Sequence, residues 1–140
     1  MNFYLDTSVL AAYYCPEPLS EKAEDFILSH FRPAISALTE VEFCSAISRK
    51  IRERELNQRD GGRIIAKFLA HLDGRLYMNW PIEPHHFRLA REWICLFNNS
   101  LRSLDAIHLA VASSRECIFV TADKGLSKSA EGLAIETILL

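Results

Sequence analysis

The chain has 140 residues, 49% of them hydrophobic and 24% charged, which is the size and make-up of one ordinary folded domain and excludes a wholly disordered polymer. Sixteen Lys and Arg against eighteen Asp and Glu leave a net charge of −2, so no global positive field marks a nucleic-acid binder. A polyanionic substrate would have to be held by local groups or by metal ions. No apolar run approaches the roughly 20 residues that span a bilayer, which argues against an integral membrane protein. Met1 to Tyr14 carries no Lys or Arg and contains Asp6, unlike a secretory signal, so the chain reads as cytoplasmic. Cys15, Cys44, Cys95 and Cys117 form no close pair of the zinc-binding kind and are expected to be reduced, packed thiols.

Strand-like and helix-like segments alternate along the chain. Asn2 to Leu5 reads as a strand ending at Asp6, and Thr7 to Tyr14 as a helix that stops before Pro16. Pro18 and Ser20 open a helix to about His30, with Ala23, Phe26 and Ile27 on its apolar face. Ala34 to Ser36 is a brief strand, and Leu38 to Glu55 a longer helix in which Val41, Cys44, Ile47 and Ile51 recur three or four apart. Asn57 to Leu72 follows as a helix despite Gly61 and Gly62, which weaken its first turn. Leu76 to Trp80 reads as a strand, Pro84 to Phe97 and Ser103 to Ser114 as helices, and Cys117 to Thr121 as the clearest strand. Lys124 to Glu131 is a short helix or irregular turn, Gly132 a stop, and Ala134 to Leu139 a last strand. This order predicts an α/β fold with a mostly parallel sheet and helices on both faces, as a single domain over 1–140.

Ligands of such folds bind beyond the carboxyl ends of the strands, where Asp6 and Asp123 both fall. Glu42 lies about one turn into the helix after the second strand, and Asp105 in the first turn of the Ser103 helix. Each has a bland alternative: Asp105 suits a helix start, Asp6 is placed to cap one, and Glu42 stands three residues after Thr39 in a capping-box spacing. Together, four acids at one sheet edge would repel one another unless a cation compensates, and carboxylates are hard ligands suited to Mg²⁺ or Mn²⁺. Metal-assisted phosphodiester hydrolysis is the chemistry that follows.

These residues sit in four stretches: Tyr4-Leu5-Asp6-Thr7-Ser8, Ser36-Ala37-Leu38-Thr39-Glu40-Val41-Glu42-Phe43, Leu101-Arg102-Ser103-Leu104-Asp105-Ala106-Ile107-His108-Leu109-Ala110, and Val120-Thr121-Ala122-Asp123-Lys124-Gly125-Leu126. In this order and over the whole length, the chain resembles the PIN domain, and more specifically the short VapC-type ribonuclease toxins of toxin-antitoxin pairs. The resemblance implies a three-layer α/β/α fold and an Mg²⁺- or Mn²⁺-dependent endoribonuclease. It assigns Asp6, Glu42, Asp105 and Asp123 to the metal site and Thr7, Ser8 and Thr121 to nearby hydroxyls that orient water, metal or phosphate. Asp123 is expected to bind metal weakly or through water. It further implies an RNA substrate, a cognate antitoxin and a homodimer. Glu40 and Glu42 point in roughly opposite directions on a helix, and Glu42 is the one that matches the Thr-x-x-Glu spacing.

Other residues have weaker claims. His108, amid Leu104, Ile107 and Val111, is expected to pack or to support the site rather than act as a base, and His85 and His86 read as surface residues. Zinc catalysis is not indicated, for want of a His or Cys-His cluster. The run Arg49-Lys50-Ile51-Arg52-Glu53-Arg54-Glu55 suits either RNA phosphates or a solvated, internally paired face. Val9, Leu10, Tyr13 and Tyr14 suit a partner groove or plain core packing. Two other functions compete: a haloacid-dehalogenase-type phosphatase, disfavoured because Ser8 stands where a second acid is needed, and a non-catalytic module whose acidic cleft binds a basic peptide.

Overall fold

All five strands run parallel in one sheet in the computed structural model, which describes residues 1–140. They are β1 (Phe3–Leu5), β2 (Ala34–Ser36), β3 (Met78–Trp80), β4 (Ile118–Thr121) and β5 (Thr137–Leu139), in the order β3-β2-β1-β4-β5. Seven helices connect and cover them: α1 (Thr7–Tyr14), α2 (Ser20–Ser29), α3 (Ala37–Arg52), α4 (Gln58–Asp73), α5 (Pro84–Ile94), α6 (Ser103–Ser113) and α7 (Lys124–Gly132). The expected mostly parallel sheet is therefore wholly parallel.

The two-residue repeat of a strand explains the three layers. Tyr4, Ala34 and Phe119 are in register across β1, β2 and β4 and project to one face, where they pack with Leu109, Val111 and Ala112 of α6 and Leu126 and Ala130 of α7. Leu5, Ile35 and Val120 project to the other face, against Val9 and Leu10 of α1, Ala23 and Ile27 of α2, Phe43 and Ile47 of α3, and Phe68 of α4. Because both faces are covered, the central strands are mainly apolar rather than alternating, with Ser36 and Thr121 only at their carboxyl ends.

From β1 the chain steps outward through α1 and α2 to β2, then through α3 and α4 to β3. It then crosses back through α5 and α6 to β4 on the other side of β1. Strand order thus reverses at β1, and the crevice beyond the carboxyl ends of β1 and β4 is the switch point at which open α/β sheets bind ligands.

The paired glycines of α4 have unequal roles. A Cβ on Gly61 would lie 2.6 Å from Ile51 Cδ1 and 3.3 Å from Ile47 Cγ2, so the glycine lets α4 approach α3 closely. A Cβ on Gly62 would meet nothing within 4 Å. Gly61→Ala is expected to destabilise the fold by about 1–2 kcal/mol through overpacking. Gly62→Ala should stabilise it by about 0.5–1 kcal/mol through helix propensity. Urea denaturation of the two variants checks the pair; equal effects would contradict the close approach.

Several expected boundaries shift inward. α3 stops at Arg52 instead of Glu55 because Arg54 adopts φ 62°, which brings the Glu55 and Leu56 amides back to the Lys50 carbonyl at 2.9 and 3.2 Å. α5 stops at Ile94 and Phe97 takes φ 56°. Lys124 to Gly132 is a regular helix, with Ala134 rather than Gly132 in the left-handed conformation after it. Two side-chain expectations are corrected. Cys95 is exposed at the end of α5, although all four thiols are free. His86 is buried, not superficial: its Nδ1 accepts from the Glu83 amide at 2.8 Å, and its Nε2 meets Ser114 Oγ at 2.9 Å, tying the start of α5 to the end of α6.

Candidate active site

Asp6 leaves β1 at the N-cap position of α1, yet its side chain does not cap that helix. The backbone explains why: the Asp6 amide continues the sheet by donating to the Val120 carbonyl at 2.9 Å, which turns the carboxylate toward β4. There Asp6 Oδ2 accepts from Ser8 Oγ at 2.7 Å and from Thr121 Oγ1 at 3.0 Å. Both hydroxyls also accept from the loop after β4, Ser8 from the Ala122 amide at 2.9 Å and Thr121 from the Asp123 amide at 3.0 Å. Two loops from adjacent parallel strands are thereby joined around one buried carboxylate, and Asp6 Oδ1 receives no hydrogen bond within the chain.

Glu42 is brought to the same edge by α3. Its Oε1 accepts from Thr7 Oγ1 at 2.8 Å and from His108 Nε2 of α6. Glu40 points elsewhere, accepting from Asn79 Nδ2 at 2.7 Å, so the helix period separates the two glutamates as expected. His108 is fully buried, and its Nδ1 lies 2.7 Å from the Tyr4 hydroxyl, itself 2.8 Å from Ser36 Oγ. In the neutral ring this fixes the tautomer: Nε2–H donates to Glu42 and Nδ1 accepts from Tyr4, whose phenol burial pushes up and keeps protonated. Burial alone would raise the Glu42 carboxyl, but the hydrogen bond from His108, with help from Thr7, holds it below the ordinary glutamate range.

Asp105, in the first turn of α6, is half-buried and accepts no hydrogen bond within the chain. Burial, and then the charge of Asp6, pushes its carboxyl above the ordinary aspartate range; Glu42 and Asp123 add to the push and His108 opposes it. Asp105 therefore senses all three of the other acids. Asp123 is the N-cap of α7, its Oδ1 accepting from the Leu126 amide at 3.1 Å. Glu42, Asp105 and Asp123 open on a surface cavity of about 640 Å³, whose rim runs from Ser100 to Leu104 and across to Gly125 and Ser129.

As they stand, no three His, Cys, Asp or Glu side chains converge into a ready-made metal site. The donor set nevertheless fits a hard divalent cation. Asp6, Glu42 and Asp123 each hold one oxygen in a hydrogen bond and leave the other without a partner in the chain, and Asp105 leaves both. Mutual repulsion is reason enough for the carboxylates to stand apart before a cation draws them together.

All four acids singled out from the sequence thus meet at one edge. The three hydroxyls meet there too, turned toward carboxylates: Thr7 to Glu42, and Ser8 and Thr121 to Asp6. Sequence reasoning gave Tyr4 no part, although a tyrosine inside an apolar strand signals a buried hydroxyl in need of a partner. It also placed no weight on Arg102, three residues before Asp105 and on the cavity rim.

The sequence matches the PIN domain family over residues 3–132. No curated protein matches it. Among solved structures, the chain is similar to FitAcB from Neisseria gonorrhoeae, at 18% identity and TM-score 0.71, covering 97% of this chain and 96% of that one. It is similar to VapC20 from Mycobacterium tuberculosis, described as a sarcin-ricin loop cleaving toxin, at 17% identity and TM-score 0.72, covering 91% and 95%. A third is a VapBC complex from Rickettsia felis bound to a promoter DNA fragment, at 12% identity and TM-score 0.70, covering 99% and 98%. With the family matched over nearly the whole chain and the fold shared from end to end, the chain belongs to the PIN domain family.

Proposed function

We propose that the chain is a divalent-metal-dependent endoribonuclease of the VapC type, acting in the cytoplasm as the toxin of a toxin-antitoxin pair. The observation that carries this reading is the meeting of Asp6, Glu42, Asp105 and Asp123 at the switch point of the sheet, where Asp105 accepts no hydrogen bond within the chain. A carboxylate left unsatisfied among three others is a poor arrangement for stability alone and a suitable one for Mg²⁺ or Mn²⁺. When bound, such an ion lowers the pKa of an attacking water and stabilises the leaving oxygen of a phosphodiester.

The chain's own residues have separable roles in this scheme. Asp6 and Asp105 are the principal metal ligands. Glu42 is a third, held in orientation by Thr7 and His108. Asp123, committed to capping α7, contributes its remaining oxygen or acts through water. Ser8 and Thr121 fix the Asp6 carboxylate so that it is not reorganised during the reaction. Hydrolysis adds the water oxygen to phosphorus, breaks one P–O ester bond and passes a proton to the departing oxygen.

A cognate antitoxin belongs to the same reading, supported by the resemblance to VapC-type toxins and by the VapBC complex among the similar structures, and a homodimer belongs to it through the resemblance alone. Incubating the purified protein with a mixed RNA pool tests the proposal. Cutting in Mg²⁺ or Mn²⁺ that EDTA abolishes is the expected result. A folded protein that takes up neither ion and cuts nothing would assign the acidic cleft instead to binding a basic peptide.

A further inference from the structure

The basic run at the end of α3 divides into two parts in the structure. Lys50 is neutralised by Glu55 at 3.1 Å, an approach made possible by the left-handed turn at Arg54. Arg49 and Arg52 are exposed and make no ion pair, Arg52 donating only to Ser48 Oγ at 2.9 Å. They lie seven and ten residues beyond Glu42, about 20° and 80° around the helix from it and about 10 and 15 Å further along the axis. The two line a cavity of about 310 Å³ together with Thr7 and Glu42.

That cavity shares Glu42 and Leu104 with the carboxylate cavity. On its far side the carboxylate cavity shares Ser100, Gly125 and Ser129 with a third cavity of about 350 Å³, which adds Asn98 and Lys128. Through these shared residues the three cavities adjoin in a trough along the edge of the sheet, with acids in the middle and cations at both ends. Beside Asn98 stands Phe97, 88% exposed and held at φ 56° on the turn after α5. Cations spaced along a groove, with an exposed aromatic ring next in sequence to a residue that lines one end, suit a single strand whose phosphates are tracked and whose bases stack. The middle of the trough repels phosphates in the absence of metal, so flanking cations are needed to seat a polyanion on a chain of net charge −2.

We infer that this trough is a track for single-stranded RNA, in which Arg49 and Arg52 bind backbone phosphates on the α3 side of the carboxylates and Phe97 stacks on a base at the other end. The inference rests on the nuclease reading and adds to it the direction in which the substrate lies. The test measures binding of a short fluorescein-labelled single-stranded RNA of mixed sequence, by anisotropy in EDTA over a range of salt concentrations. Arg49→Gln with Arg52→Gln should weaken binding and reduce the slope of log K against log salt by about 1.4, at about 0.7 per lost phosphate contact. Arg32→Gln with Arg75→Gln removes the same charge from the opposite edge of the sheet and should leave the slope unchanged. Phe97→Ala should weaken binding about fivefold or more without altering the slope.

An unchanged slope in the Arg49 and Arg52 variant, or an equal fall in the control, overturns the track. Unchanged affinity in Phe97→Ala, or duplex RNA bound as tightly as the single strand, overturns its single-stranded character. RNA that binds with the expected slope but is never cut in Mg²⁺ or Mn²⁺ defeats the nuclease reading and leaves the track standing. Cutting that persists while the arginine variant keeps its slope does the reverse.

Discussion

Asp105→Asn is expected to reduce RNA cleavage by about 10³-fold or more while raising the melting temperature of the metal-free protein. Metal-assisted charge stabilisation supplies several kcal/mol, and each 1.4 kcal/mol or so is a factor of ten in rate. The stability gain has a different origin. Folding raises the Asp105 carboxyl through burial and through its acidic neighbours, so the ionised form is penalised in the native state. That penalty is present above the raised value and is relieved as pH falls through it. Asparagine removes it, so the gain, up to about 1 kcal/mol, should be largest near neutral pH and vanish at low pH. Thermal melts in EDTA across pH check the second half and cleavage assays the first. Loss of activity accompanied by loss of stability would mark Asp105 as a structural residue.

His108→Ala should be the most damaging single change to the fold at this edge, costing about 2–4 kcal/mol. The ring is fully buried between α6 and β1, and its loss leaves a cavity, deprives the Tyr4 hydroxyl of a partner and releases Glu42. Tyr4→Phe, which keeps the ring volume and removes one hydroxyl, should cost about 1–2 kcal/mol. Glu42 supplies a pH signature. Its carboxyl lies lower in the folded chain than in the unfolded one, so it stabilises the fold above the ordinary glutamate range, and that stabilisation is lost as pH falls through the folded value. His108 is what lowers it, so the gap between wild type and His108→Ala should narrow on acidification. Urea denaturation at neutral and acidic pH measures both effects, and a cost below about 1 kcal/mol would mean that His108 merely fills space.

Much of this was legible in the sequence because two periods rarely conflict in it. Short apolar runs followed by helical repeats mark all five strands and seven helices, and the acids at strand ends mark the edge that matters. Helix ends were harder to place. They are set here by non-glycine residues in the left-handed conformation, such as Arg54 and Phe97, which carry no compositional signal. The helix period separated Glu42 from Glu40 and the Thr-x-x-Glu spacing of the resembling family chose between them, and the structure gives the two different partners. The coupling of Tyr4, His108 and Glu42 was not legible, since it joins β1, α6 and α3 across 66 and 104 residues of chain. His86 was misplaced for a similar reason: its burial depends on Ser114, 28 residues away, and not on its own helix.

Mn²⁺ binding tests the carboxylate site as a metal site without knowledge of which RNA is cut. Free Mn²⁺ can be followed by electron paramagnetic resonance during titration of the wild-type chain, Asp105→Asn and Asp6→Asn. Saturable binding by the wild type that is lost in both variants, with their folds intact by circular dichroism, is the predicted result. Equal binding by all three proteins would mean that Asp6 and Asp105 hold no metal.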